Sequence, residues 1–314
     1  MQQLATKKTN EKTKMKSTPN PAGARTRYQT VPVNGVDIFY REAGQPGQPA
    51  VLLLHGFPTS SHMFRELIPA LAAEYHVIAP DYPGFGYSSA PEAARFDYTF
   101  DRLSEITESF LKKIGVTRFA LFMQDYGAPV GLRIAERHPD WISALIVQNA
   151  NAYIEGINQA TFKPMQAFWA DRNATTETPV RGFLTAETTR FQYPHGTRNP
   201  TAVNPDCWIH DQALLGRPGN DLIQLALLHD YQNNPPQYPV WQDYFRRHQP
   251  PTLITWGRND PFFTEAGARA YLRDLPKADL HLLDTGHFAL EEDGPLIAGL
   301  IRQFLAGAIG AARP

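Results

Sequence analysis

Asp125 stands in the run Met123-Gln124-Asp125-Tyr126-Gly127-Ala128-Pro129, between an apolar stretch of strand character and one of helical period. A sharp strand–turn–helix bend is where a G-x-S-x-G elbow would hold a nucleophilic serine; here the central residue is aspartate. Gly127 and Ala128 are small, as close packing of helix on strand requires. The same aspartate would also suit a helix N-cap, with Pro129 just inside the helix. Downstream, Gly257-Arg258-Asn259-Asp260 follows the run PTLITW, and Thr285-Gly286-His287 follows ADLHLLD. Asp260 before Pro261 doubles as an N-cap with proline at the first helical position. Upstream, His55-Gly56-Phe57-Pro58 ends the run VLLLH. A glycine there lets the backbone turn and point amide N–H groups at a developing oxyanion, although a plain Gly-Pro turn would read the same way.

The residue types define a chemistry. A serine must lose a proton before it attacks, whereas an ionised carboxylate can displace a leaving group from saturated carbon directly. Asp125 is then the nucleophile of an alkyl-enzyme ester. His287, oriented by Asp260, is the general base for a water that attacks the carbonyl carbon of Asp125. The backbone N–H groups of Phe57 and Tyr126 are the expected oxyanion hole. This route needs a small apolar substrate and water, and no metal or organic cofactor.

The elements around these motifs alternate. TRYQTVPVNGVDIFYREAG carries an Asn34-Gly35 turn between two alternating segments, a hairpin signal. Strand VLLLH is followed by helix SHMFRELIPALAAEY, strand HVIAP, helix FDRLSEITESFLKKIG, strand RFALFMQ, helix APVGLRIAERH and strand ISALIVQ. That rhythm predicts an α/β fold with helices on both faces of a parallel sheet. It stops after Asn149, and residues 150–247 read as helical pieces rich in aromatics and proline. It resumes with strand PTLITWG, helix EAGARAYLRDL, strand ADLHLLD and helix PLIAGLIRQFLAGA. The expected organisation is a core of residues 26–149 and 248–314, with 150–247 inserted after the sixth strand as a helical cap over the carboxyl ends of the strands.

From about Thr26 to Leu305 the chain resembles the α/β-hydrolase superfamily, in the aspartate branch that holds epoxide hydrolases and haloalkane dehalogenases. HGFPTSSHMF is similar to the oxyanion loop of that branch and MQDYGA to its aspartate elbow. Nucleophile, acid and histidine come in the chain order of the superfamily. The resemblance implies a mostly parallel eight-stranded sheet flanked by helices. Met123 stands where a small residue is usual, and Gln148 and Asn149 occupy the alternative position of the acid, so Asp260 carries that role. Dehalogenases of the branch hold the halide with a tryptophan after the nucleophile and a second tryptophan or asparagine. Here Tyr126 and Phe57 stand at those positions. Epoxide hydrolases donate a proton from cap tyrosines, and among Tyr153, Tyr193, Tyr231, Tyr238 and Tyr244 the spacing favours Tyr231. Trp169 lies near the position of the other tyrosine, and Tyr153 is a further candidate contact. Hydrolysis of small epoxides to diols is the favoured activity, with haloalkane or haloacid dehalogenation the alternative.

Other classes fit less well. Gly86-Tyr87-Ser88-Ser89-Ala90 has the pattern of a serine elbow but follows the wrong strand. Gly84-Phe85-Gly86 lacks the third glycine of a dinucleotide fingerprint. A non-catalytic binding protein of the same fold would not need all three of Asp125, Asp260 and His287. With 314 residues, 42% hydrophobic, and a formal charge of −1, the chain offers no nucleic-acid or membrane signal. Residues 1–25 are basic and poor in large apolar side chains, so they are expected to be disordered, and Met1 and Met15 are both possible starts. No apolar region follows to make them a signal peptide. The lone Cys207 excludes an internal disulfide. A cytoplasmic monomer or homodimer is the expectation.

Overall fold

The computed structural model describes residues 25–310, so the expected disorder of the first residues falls almost wholly outside the described part. Eight strands form one sheet in the order β1-β2-β4-β3-β5-β6-β7-β8. They are β1 (Arg27–Val33), β2 (Val36–Ala43), β3 (Ala50–Leu54), β4 (His76–Pro80), β5 (Phe119–Gln124), β6 (Ile142–Gln148), β7 (Thr252–Gly257) and β8 (Asp279–Leu283). β2 runs antiparallel to both neighbours, and the pairs from β4 through β8 are parallel. The β1–β2 hairpin turns at Asn34 and Gly35, with φ of 47° and 85°, the left-handed pair that a two-residue hairpin loop demands.

Burial explains the sheet's composition. β3 and β5 are apolar on both sides because helices cover both faces. Leu121 and Met123 enter the core beneath α2 (Phe100–Lys113) and α3 (Gly127–Arg137), whereas Ala120 and Phe122 face α1 (Leu67–Leu71) and the C-terminal helix, Ala289–Gly310. The continuous helix expected from SHMFRELIPALAAEY does not form. A 3-10 turn, Ser61–Phe64, precedes the short α1. Pro69 removes one N–H, and its ring crowds the carbonyl four residues earlier, so no single helix can run through Arg65. The last helix begins at Ala289, before the expected Pro295, and kinks at Asp293.

Between β6 and β7 lie six α-helices and no strand: α4 (Gln159–Ala170), α5 (Ala174–Arg181), α6 (Ala186–Gln192), α7 (Asp206–Leu215), α8 (Asn220–Asp230) and α9 (Tyr238–His248). α10 (Glu265–Asp274) returns the chain to the sheet, and α11 is the C-terminal helix Ala289–Gly310. The inserted helices share apolar clusters with the core through Phe162, Phe168, Leu225 and Tyr231. Among the described residues no helix is long and apolar enough to cross a membrane.

Candidate active site

Asp125 follows β5 directly and has φ of 48°, a left-handed conformation that a side chain bears only where its surroundings fix it. Its neighbours do so. The Asp125 N–H donates to the Asn149 carbonyl at 3.2 Å, and the Asp125 carbonyl accepts from Ala128 N at 3.0 Å as α3 begins. Two glycines are required by contact alone. A Cβ on Gly56 would lie 2.4 Å from Asp125 Oδ1, and one on Gly127 would lie 2.4 Å from the Leu54 carbonyl oxygen. The loop after β3 can therefore press its backbone onto the carboxylate, and Phe57 N donates to Asp125 Oδ1 at 2.7 Å. The Tyr126 N–H also favours the ionised form of this carboxylate.

Phe57, Asp125, Tyr126, Tyr231 and His287 line one cavity of about 40 Å³, bounded also by Phe162, Met165, Phe183 and Leu228 of the insertion and by Phe262 and Phe263. That is space for on the order of three waters. Burial pushes the Asp125 carboxyl up to about 6, and the His287 charge with the Phe57 and Tyr126 N–H groups restrains the rise. At pH 7 roughly ten carboxylates are ionised for each protonated one.

His287 Nδ1 lies 2.7 Å from Asp260 Oδ2. Asp260 Oδ1 accepts from Phe262 N and Phe263 N at 2.7 and 3.1 Å, so the carboxylate is fixed from both sides. With Nδ1–H donating to Asp260, Nε2 of the neutral His287 ring carries the lone pair. It faces Gln124 Nε2 at 2.8 Å. Burial lowers the basicity of this imidazole, and Asp260 and Asp125 more than restore it, leaving it above the ordinary histidine value.

Sequence reasoning missed two parts of this arrangement. Asn149 has the left-handed φ of 44°; its Nδ2 donates to Asp260 Oδ2 at 2.8 Å and to the Gly257 carbonyl at 3.1 Å, while its Oδ1 accepts from Gly257 N at 2.9 Å. The residue set aside as unable to be the acid instead ties the acid to β6 and β7. Gln124 at the histidine is the other. The available signal was position: both are the residues at the carboxyl end of a central strand.

His55, Gly56 and Pro58 shape the loop. The Gly56 carbonyl lies 3.0 Å from His55 Nδ1, and Tyr82 N donates to His55 Nε2 at 3.3 Å. Burial lowers the His55 value, which keeps a neutral ring bracing the β3 and β4 loops. The Phe57–Pro58 peptide is cis. Trp169 and Tyr153 are corrections to the sequence expectation, because neither lines the cavity. Trp169 Nε1 donates to the Leu228 carbonyl at 2.8 Å, and its ring stacks on Tyr231 at 6.1 Å. The Tyr153 hydroxyl donates to Asp274 Oδ2 at 2.7 Å and the ring packs on Tyr271. Tyr231 does reach the cavity. Its hydroxyl neighbours that of Tyr238, which accepts from Asn151 Nδ2 at 3.1 Å. Burial lifts the Tyr231 phenol well above its ordinary value.

Residues 49–294 match the family model described as the alpha/beta hydrolase fold. The chain belongs to that family. An uncharacterized hydrolase of Saccharomyces cerevisiae is 41% identical over 82% of this chain and 89% of its own length. A haloalkane dehalogenase of Mycobacterium marinum is 31% identical over 83% of this chain and 86% of its own. Epoxide hydrolase A of Mycobacterium tuberculosis is 40% identical over 46% of this chain and 44% of its own. Among solved structures, haloalkane dehalogenase DbeA from Bradyrhizobium elkani superposes with a TM-score of 0.76 over 92% of this chain and 100% of its own, at 20% identity, a likeness of fold. The protein is thus an α/β-hydrolase-fold enzyme, a hydrolase, with relatives named for both halide and epoxide chemistry.

Proposed function

We propose that this hydrolase opens small epoxides through a covalent ester on Asp125. One observation carries the reading: a carboxylate at a strained elbow, beside the N–H groups of Phe57 and Tyr126, shares a mostly apolar cavity with an imidazole and a phenol. An Asp125 oxygen attacks an epoxide carbon, the carbon–oxygen bond of the ring breaks, and the Tyr231 phenol gives its proton to the departing oxygen. His287 then takes a proton from water, and the hydroxide adds to the Asp125 carbonyl carbon. The Phe57 and Tyr126 N–H groups hold the oxyanion. Collapse expels the alkoxide whose oxygen came from Asp125; it takes the proton of the added hydroxyl to complete the diol and leave Asp125 ionised, and the imidazolium proton restores the phenol. Asp260, held by Asn149, keeps the imidazole in the tautomer this needs. The inserted helices act as a cap that excludes bulk water.

Two features favour epoxide over halide. Tyr126 and Phe57 offer no indole or amide side-chain donor to a leaving halide, and the Trp169 N–H is already committed to the Leu228 carbonyl. A haloalkane dehalogenase is the second reading, favoured by the extent of the Mycobacterium marinum match. Purified protein offered terminal epoxides and bromoalkanes, scored for diol and bromide, decides between them; bromide without diol discards the epoxide reading. A single turnover in ¹⁸O-water tests the ester for either substrate. The label is expected in the peptide holding Asp125, and label found only in the product eliminates the carboxylate nucleophile.

A further inference from the structure

The cavity wall is mostly apolar, and its polar groups can be accounted for one by one. Asp125 and His287 belong to the reacting end. Thr161 Oγ1 donates to the Pro261 carbonyl at 2.8 Å, and the Tyr231 hydroxyl neighbours Tyr238. Two side chains on the wall carry a buried polar atom with no protein partner, the Tyr126 hydroxyl and Gln192 Nε2. Tyr126 stands beside the nucleophile. Gln192 comes from the insertion, at the last residue of α6, and is only 2% exposed.

The scaffold of Gln192 is fully braced. Thr185 caps α6 by accepting from Thr188 N. Thr189 Oγ1 donates to Gln212 Oε1 at 2.7 Å, the Tyr193 hydroxyl bonds Asp211, and the Tyr193 ring stacks on Phe288 at 4.0 Å, next to His287. An enclosed amide without a partner is a standing cost in a native protein, and a ligand group that pairs with it removes that cost. The unpaired Nε2 donates, so it suits the oxygen of a hydroxyl or of a carbonyl.

We infer that Gln192 is a specificity-determining residue that recognises a hydroxyl or carbonyl group on a short-chain substrate whose electrophilic carbon faces Asp125. The inference rests on the epoxide reading for its electrophile but on the cavity alone for its polar handle. A site built to pair with a polar group discriminates strongly against an analogue that lacks it, because the site's own group is then left unpaired.

Glycidol and 1,2-epoxybutane test this, since they differ by a hydroxyl in place of a methyl. Gln192→Met keeps the length of the side chain and removes the amide, and Gln192→Leu serves if that variant fails to fold. The kcat/KM for glycidol is expected to fall about tenfold or more, with 1,2-epoxybutane changing less than about twofold. Equal losses on both substrates, or no loss on glycidol, overturn the inference. Propionamide separates this from the reaction itself, because it offers the polar group and no electrophile. Calorimetric titration is expected to show binding to the native enzyme and about tenfold weaker binding to Gln192→Met; unchanged affinity, or none in the native enzyme, overturns the handle even if epoxides are hydrolysed. If neither epoxide turns over while propionamide binding depends on Gln192, the epoxide reading fails and the handle stands.

Discussion

Two regions face each other across the cavity, and they are built differently. The sheet side presents Asp125, His287 and the loop of Phe57, each held by hydrogen bonds that converge from β3, β5, β6 and β7. The inserted side presents Phe162, Met165, Phe183 and Leu228, with Thr161, Tyr231 and Gln192 as its polar points. On one side the Asp125 and Asp260 carboxylates and the His287 imidazole are each fixed by hydrogen bonds from more than one strand end. The other is shaped by side-chain packing between helices, and of its polar groups on the cavity wall the Gln192 amide nitrogen alone has no partner among the described residues. On the proposed reading the sheet carries out the chemistry common to any substrate, and the insertion chooses among substrates. Substitutions on the sheet side are therefore expected to affect every substrate alike, and those on the insertion to affect them unequally.

The largest effect separates the two half-reactions of the sheet side. On the proposed reading His287→Gln leaves the nucleophile intact and removes the base, so the ester is expected to form and stay. Mass spectrometry after substrate addition is expected to show the protein heavier by the substrate, with turnover reduced by about 10⁴-fold or more. Undiminished turnover in this variant removes the mechanism. On the insertion, Tyr231→Phe is expected to slow epoxide opening by roughly 10²-fold, within the usual range for a positioned proton donor, while leaving bromide release from bromoalkanes within a few-fold. Equal slowing of both would discard Tyr231 as proton donor and would erase the distinction between the regions at this residue.

The same division governs what was legible in the sequence. Strand ends are local events: HVIAP at 76–80 and ISALIVQ at 142–148 form strands with the expected bounds, and the motifs after β3, β5, β7 and β8 point to residues that meet. Local rules also account for the failures, since Pro69 sits inside an otherwise helical pattern. The insertion has no such register. Trp169, Tyr153 and Tyr231 are alike as aromatic residues in sequence, and only helix packing decides that two of them spend their polar atoms on Leu228 and Asp274. Asn149 and Gln192 were invisible for a related reason. Their partners lie 108 and 111 residues away in one case, and the other has none for its Nε2.

Asn149 offers a smaller test on the sheet side. Asn149→Gly keeps the left-handed backbone accessible and deletes the bonds to Asp260 and Gly257. Loss of buried bonds that orient Asp260 is expected to lower kcat roughly tenfold with little change in KM, equally for epoxide and bromide substrates, and to cost about 1–3 kcal/mol in denaturant unfolding. A loss of stability with kcat intact would mean that Asp260 holds the imidazole without this brace.

The smallest effect concerns stability, and its sign follows from burial of Asp125. The folded protein holds a proton on Asp125 up to about 6, above the ordinary 3.8, so it binds that proton more tightly than the unfolded chain does. Its contribution to stability is greatest below pH 4, declines as pH rises through 4 to 6, and leaves a constant penalty above that. Asp125→Asn has no such slope. At pH 7.5 it is expected to melt roughly 5 °C above the native enzyme, and near pH 4 the two should coincide. A pH-independent gap would mean that the variant gains from packing, while a lower melting temperature at pH 7.5 would mean that the Phe57 and Tyr126 N–H groups stabilise the carboxylate by more than burial penalises it. Either outcome shifts the balance at the elbow that distinguishes the sheet side from the insertion: a buried charge kept at a cost to the fold, as the proposed reaction requires.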